Sequence, residues 1–157
     1  MDANARQALI ERYRAGYAQV REALNGITDA ELDSRSNTEE WTAREVAHHL
    51  ADSETTSYIR LRRLLAEDEP MIDGYDEAEF ARRLRYDRPI HASLAVFRAV
   101  RESSAELLDR INESDWQRHG VHSESGDYSV ETWLEIYAAH AFDHADQIRR
   151  ARKSLAK

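Results

Sequence analysis

Apolar residues recur at spacings of three and four along most of the chain, which is the period of an α-helix. Leu9, Ile10, Tyr13, Tyr17, Val20 and Leu24 fall on one stripe of a helix predicted from about Ala3 to Leu24, ended by Asn25-Gly26. Thr28-Asp-Ala-Glu31 reads as a short capped turn, and the polar run from Ser34 to Glu40 as loop. A second long helix opens at Thr42, whose partner in a capping box is Glu45, and continues through Val46, Leu50, Leu61 and Leu64 to about Ala66. From Glu67 to Arg88 an acidic start, Pro70 and Gly74 argue for a long connection holding one short helix around Glu77 to Leu84, rather than a strand. Pro89 suits the first position of a third helix, along which Ile90, Leu94, Phe97, Val100, Leu107, Leu108 and Ile111 supply the apolar face. Asn112 to Asp127 is expected to be loop, with a turn at Asp115-Trp116. Ser129 is the predicted N-cap of a fourth helix, with a stripe of Trp133, Tyr137, His140, His144, Ile148 and Ala151.

Four long helices and one long connection between the second and third predict an all-α four-helix bundle, a single domain over residues 1–157. The absence of cysteine removes disulfides, thiolate ligands and any nucleophilic thiol of the chain's own. A formal charge of -8 opposes attraction to nucleic acid phosphates and anionic lipid, so no nucleic-acid or membrane partner is expected. Arg60, Arg62 and Arg63 form a local basic cluster that reads as the solvated face of a helix. No apolar stretch has the length of a membrane span. The start Met-Asp-Ala-Asn-Ala-Arg-Gln lacks the basic and apolar regions of a secretory signal, so a cytoplasmic protein is expected.

The chemistry concentrates in histidine. His140 and His144 stand four residues apart on the inner stripe of the fourth helix, where positions i and i+4 differ by only about 40° and both imidazoles can meet one ion. A third candidate lies in His48-His49. His49 falls roughly 60° from the inner position Val46, whereas His48 falls roughly 160° away, so spacing prefers His49. Ser53 and Ser57 are small where larger apolar residues are expected, leaving room for a pocket. Each histidine taken alone reads as a satisfied interior or surface residue; the pair on a core-facing stripe is what points to a metal. Glu45-Val-Ala-His48 matches one element of a di-iron bundle, but the fourth helix lacks the second element, and Ala141 after His140 excludes the metalloprotease pattern.

These residues also resemble a known family. Trp41, the run Glu45-Val-Ala-His-His-Leu-Ala-Asp52, the stretch Gly126-Asp-Tyr-Ser129, and His140 and His144 followed by Gln147-Ile148 are similar in order and placement to the DinB-like superfamily, which includes the YfiT-like metal-dependent hydrolases and bacterial thiol-dependent S-transferases. The resemblance runs from the first helix to about Arg150. It implies His49, rather than His48, together with His140 and His144 as ligands of a divalent ion such as zinc or nickel, and it implies a homodimer.

Three imidazoles and an open position would support hydrolysis of a small-molecule substrate, or transfer of an external low-molecular-weight thiol to an electrophile. The alternative is a non-catalytic, stress-related or ligand-binding bundle with a structural metal. Asp52, three residues after His49, is the candidate for orienting an imidazole or handling a proton, with Asp143 and Asp146 beside it as options. Tyr137, Trp41 and Trp133 are read as packing.

Overall fold

A computed structural model describes residues 1–154. Four long helices dominate it: α1 (Ala3–Leu24), α3 (Ala43–Ala66), α5 (His91–Leu108) and α6 (Val130–Lys153), with the short helices α2 (Asp29–Leu32) and α4 (Glu77–Arg83) between them. Their ends follow side-chain chemistry. Asp2 accepts from the Ala5 amide at 2.8 Å, Thr28 and Thr42 complete capping boxes with Glu31 and Glu45, and Ser129 accepts from the Thr132 amide at 3.1 Å. α1 packs on α6 and α5, and α3 packs on α5 and α6, so the predicted four-helix bundle is the fold.

Three expectations are corrected. The connection after α3 contains a strand, β1 (Met71–Ile72), and the region expected to be loop folds as a 3-10 turn (Glu113–Gln117) and an antiparallel pair, β2 (His119–His122) and β3 (Gly126–Ser129). β1 joins β2 in parallel, with Met71 opposite Val121. This small sheet closes one end of the bundle. The strands escape the hydrophobic pattern because they are only two and four residues long. Pro89 lies one residue before the α5 N-cap, Ile90, rather than inside the first turn, and α5 stops at Leu108, short of Ile111.

The core is two apolar clusters separated by a polar layer. One cluster holds Ile10, Tyr13, Leu61, Leu64, Leu108 and Trp133; the other holds Val20, Val46, Leu50, Phe97, Ala141 and Ile148. Between them each long helix inserts a small or polar residue: Gly16 from α1, Glu54 and Ser57 from α3, Arg101 and Ser104 from α5, and His140 from α6. Gly16 is required by this layer. A Cβ there would stand 2.6 Å from Arg101 Nη2 and 2.7 Å from Ala141 Cβ.

Candidate metal centre

α3 and α6 bring His49, His140 and His144 together at the edge of the polar layer. One ligand-capable atom of each lies within 4.8 Å of the others. The rings of His49 and His144 are 4.7 Å apart, those of His140 and His144 4.6 Å, and those of His49 and His140 5.6 Å. His49 is buried, and the other two are partly open, which leaves one side of the cluster accessible.

Hydrogen bonds orient two of the rings. His140 Nδ1 donates to Glu54 Oε1 at 3.1 Å, and His144 Nδ1 donates to Gln147 Oε1 at 2.8 Å. An imidazole that donates through Nδ1 keeps a lone pair on Nε2, so both rings hold the tautomer a metal ion requires. Nε2 of His140 accepts a long hydrogen bond from the Ser53 hydroxyl at 3.4 Å. His49 Nδ1 is buried without a partner among the described residues, and its ring centroid lies 4.6 Å from that of Trp41. Burial, reinforced by His144 and His140, pushes the pKa of His49 down to about 2; burial and His140 push that of His144 down to about 4. Both rings are therefore neutral near pH 7. A set of neutral nitrogen donors, with an open side and carboxylate or amide acceptors behind two of them, fits a borderline divalent cation such as zinc or nickel.

The carboxylate behind His140 is Glu54, which the sequence reading passed over. It is fully buried, and Oε1 also accepts from Arg101 Nη1 at 2.5 Å. Burial opposes the charged carboxylate, but Arg101 and His140 outweigh it and hold its pKa below the usual range. Arg101 additionally donates to the carbonyls of Tyr13 and Tyr137, tying α1, α3, α5 and α6 to one group. Asp52 lies elsewhere: it is half-buried and accepts from the Tyr86 hydroxyl at 2.6 Å. Asp143 and Asp146 are exposed, the latter paired with Arg149.

His48 is buried on a different face of α3. Its Nε2 donates to the Arg88 carbonyl at 2.9 Å, which leaves Nδ1 to accept from Ser93 Oγ at 2.8 Å. Trp133 is core, and its indole donates to the Ser57 carbonyl. Tyr137 is buried but also borders the centre, 5.6 Å from the His140 ring. The arginine cluster is more engaged than a solvated face: Arg60 reaches the Tyr137 hydroxyl, Arg62 the hydroxyls of Ser103 and Ser104, and Arg63 the carboxylate of Glu67.

A family model described as the DinB superfamily matches residues 12–148. A protein of Oceanobacillus iheyensis named "Putative metal-dependent hydrolase" is 37% identical over 122 residues, covering 78% of this chain and 71% of that protein. A protein of Halalkalibacterium halodurans with the same description is 28% identical over 125 residues, covering 80% and 73%. Among solved structures, YfiT from Bacillus subtilis, described as "a probable metal-dependent hydrolase with an unusual four-helix bundle topology", superposes with a TM-score of 0.92 at 26% identity, over 99% of this chain and 90% of that one.

Proposed function

The chain belongs to the DinB superfamily, and on that premise we propose that it is a divalent-metal-dependent enzyme acting on a small molecule, with His49, His140 and His144 as the protein ligands. The observation that carries this reading is the pairing of Nδ1 on His140 and His144 with side-chain acceptors, which aims two Nε2 lone pairs into the cluster. His49, His140 and His144 would hold the ion, which would supply a lowered pKa for a bound water or thiol and polarisation of an electrophilic oxygen. Hydrolysis is the leading reaction, in keeping with the names of the relatives. The same open side would accept an external low-molecular-weight thiol for S-transfer, since the chain has no cysteine to supply one.

The chain's own residues divide the remaining work. Glu54, kept anionic by Arg101, fixes the His140 ring and strengthens its donor nitrogen. Trp41 and the apolar cluster of Val46 and Leu50 keep bulk water from His49. Asp52, one turn on from His49 and bonded to Tyr86, is the carboxylate we assign to proton transfer.

Metal content by mass spectrometry tests the reading, on protein purified without chelator and beside a folded His140→Ala, His144→Ala variant. Near-stoichiometric zinc or nickel in the parent and loss in the variant is the expected result, and it justifies screening hydrolysis and thiol-transfer substrates. Protein that stays metal-free after incubation with either ion would falsify it.

A further inference from the structure

The α3 face that carries His49 continues past the histidines as Ser53, Thr56 and Arg60. At about 100° and 1.5 Å per residue these positions fall within about 60° of one another, and Arg60 stands roughly 16 Å along the helix axis from His49. α6 keeps pace across the seam. The Tyr137 ring lies 5.6 Å from that of His140, and its hydroxyl accepts from Arg60 Nη1 at 3.1 Å. A continuous line of side chains thus leads from the imidazole cluster to a guanidinium.

Arg60 is half-buried and, among the described residues, has no anion paired with it. Its second bond, from Nη2, goes to the Asp73 backbone carbonyl at 2.6 Å, and Nε is shut from solvent without a partner. Only two of its five N–H donors are used, both by neutral oxygens, and among the described residues no carboxylate forms an ion pair with it. One turn away the situation differs: Arg63 holds the Glu67 carboxylate at 2.9 Å. A groove of about 310 Å³ opens beside Arg60, lined also by Thr56, Ile59 and Ile72, a volume suited to a small molecule.

We propose that Arg60 anchors the oxyanion end, a carboxylate or phosphate, of an elongated small-molecule ligand whose other end lies at the three histidines. A planar guanidinium with free donors, withdrawn partly from water, takes such a group through charge-assisted hydrogen bonds, and Tyr137 and Asp73 hold it in place for the purpose. Thr55, Ile59 and Ile72 wall the groove at the Arg60 end of such a ligand. The far end rests on the metal-centre reading above; the anchor itself needs no ion.

Two measurements separate these claims. In metal-free protein, acetate and inorganic phosphate are titrated while the Arg60 side-chain N–H resonance is followed by NMR. A saturable shift is expected in the parent, retained at the ammonium of Arg60→Lys as binding of the same anion, and lost in a folded Arg60→Gln variant. Response to phosphate alone selects a phosphate ester as the ligand class, and response to both selects a carboxylic acid. In nickel-loaded protein, ω-mercapto carboxylates of increasing length are compared by calorimetry with ω-mercapto alcohols of equal length. At one length the carboxylate should bind about tenfold to a hundredfold tighter, an advantage that Arg60→Gln removes while leaving the alcohols unchanged. No shift at Arg60 in the first experiment, or equal affinities at every length in the second, overturns the anchor. Failure of nickel itself to bind counts against the triad, and the NMR titration then decides Arg60 alone.

Discussion

Arg101 of α5 and Glu54 of α3 form a 2.5 Å ion pair in which the two side chains are only 2% and 0% exposed. Such a pair is a weak source of net stability, because burial of both charges offsets their attraction, but removing one partner is severe. Arg101→Met should therefore cost about 3–5 kcal/mol, read from the midpoint of denaturant unfolding. The double variant with Glu54→Gln should recover part of that loss, since no uncompensated carboxylate remains. A single-variant loss below about 1 kcal/mol would mean that water reaches Glu54.

Glu54→Gln tests the same carboxylate from the metal side. The amide oxygen can still accept from His140 Nδ1, so the ring orientation survives while the charge behind it is lost. Metal affinity, measured against a competing chelator, should fall about tenfold to a hundredfold. Unchanged affinity with reduced stability would confine Glu54 to a packing role.

The helices and the histidines were legible because both depend on local spacing. Thr42 with Glu45 and Ser129 before its apolar run place the starts of α3 and α6 to the residue. Glu54 and Arg101 were hidden because their meaning is a contact 47 positions apart, and each alone resembles a solvated charge. A signal did exist. Arg101 lies on the stripe Phe97, Ser104 and Leu108, so a cation on the inner face of α5 called for an anion on an inner face elsewhere. The sheet was hidden for another reason: it depends on Gly120 passing so close to Pro70 that an added Cβ would lie 2.2 Å from the Pro70 carbonyl oxygen, a long-range fit with no periodic trace.

Gly16→Ala sets two effects against each other. Alanine is favoured over glycine inside a helix by about 0.5–1 kcal/mol. Here the new methyl would meet Arg101 Nη2 and Ala141 Cβ at less than contact distance, and overpacking of this kind costs about 1–3 kcal/mol. The substitution should destabilise, and adding Ala141→Gly should restore part of the loss. A raised melting temperature for the single variant would show that the polar layer yields easily.

Acid should weaken the metal-free fold in a defined window. The folded pKa of His49, about 2, and that of His144, about 4, both lie below the unfolded value of about 6.5, so unfolding takes up protons at these sites. Their contribution is fully present above pH 6.5 and declines as pH falls below it, down to about 4 for His144 and further for His49. A His49→Gln, His144→Gln variant should show a shallower loss of stability between about pH 6.5 and 4.5 than the parent. Superimposable slopes would remove the histidines from the acid response.

The adjacent histidines of α3 should separate cleanly in function. His48 is committed on both nitrogens, to Ser93 and to the Arg88 carbonyl, and so ties α3 to the start of α5, whose N-cap has no side-chain hydrogen bond. His49 has no hydrogen-bond partner at Nδ1 and faces His140 and His144. Ser93→Ala would leave His48 Nδ1 buried and unpaired, a loss of about 1–3 kcal/mol, without altering metal stoichiometry. His49→Ala should abolish stoichiometric metal with a smaller change in stability, because it removes a neutral ring with a buried, unpaired nitrogen rather than a fully hydrogen-bonded one. Thermal unfolding and metal analysis on the two variants decide the matter: metal lost with Ser93→Ala, or kept with His49→Ala, would reverse the assignment of the two rings.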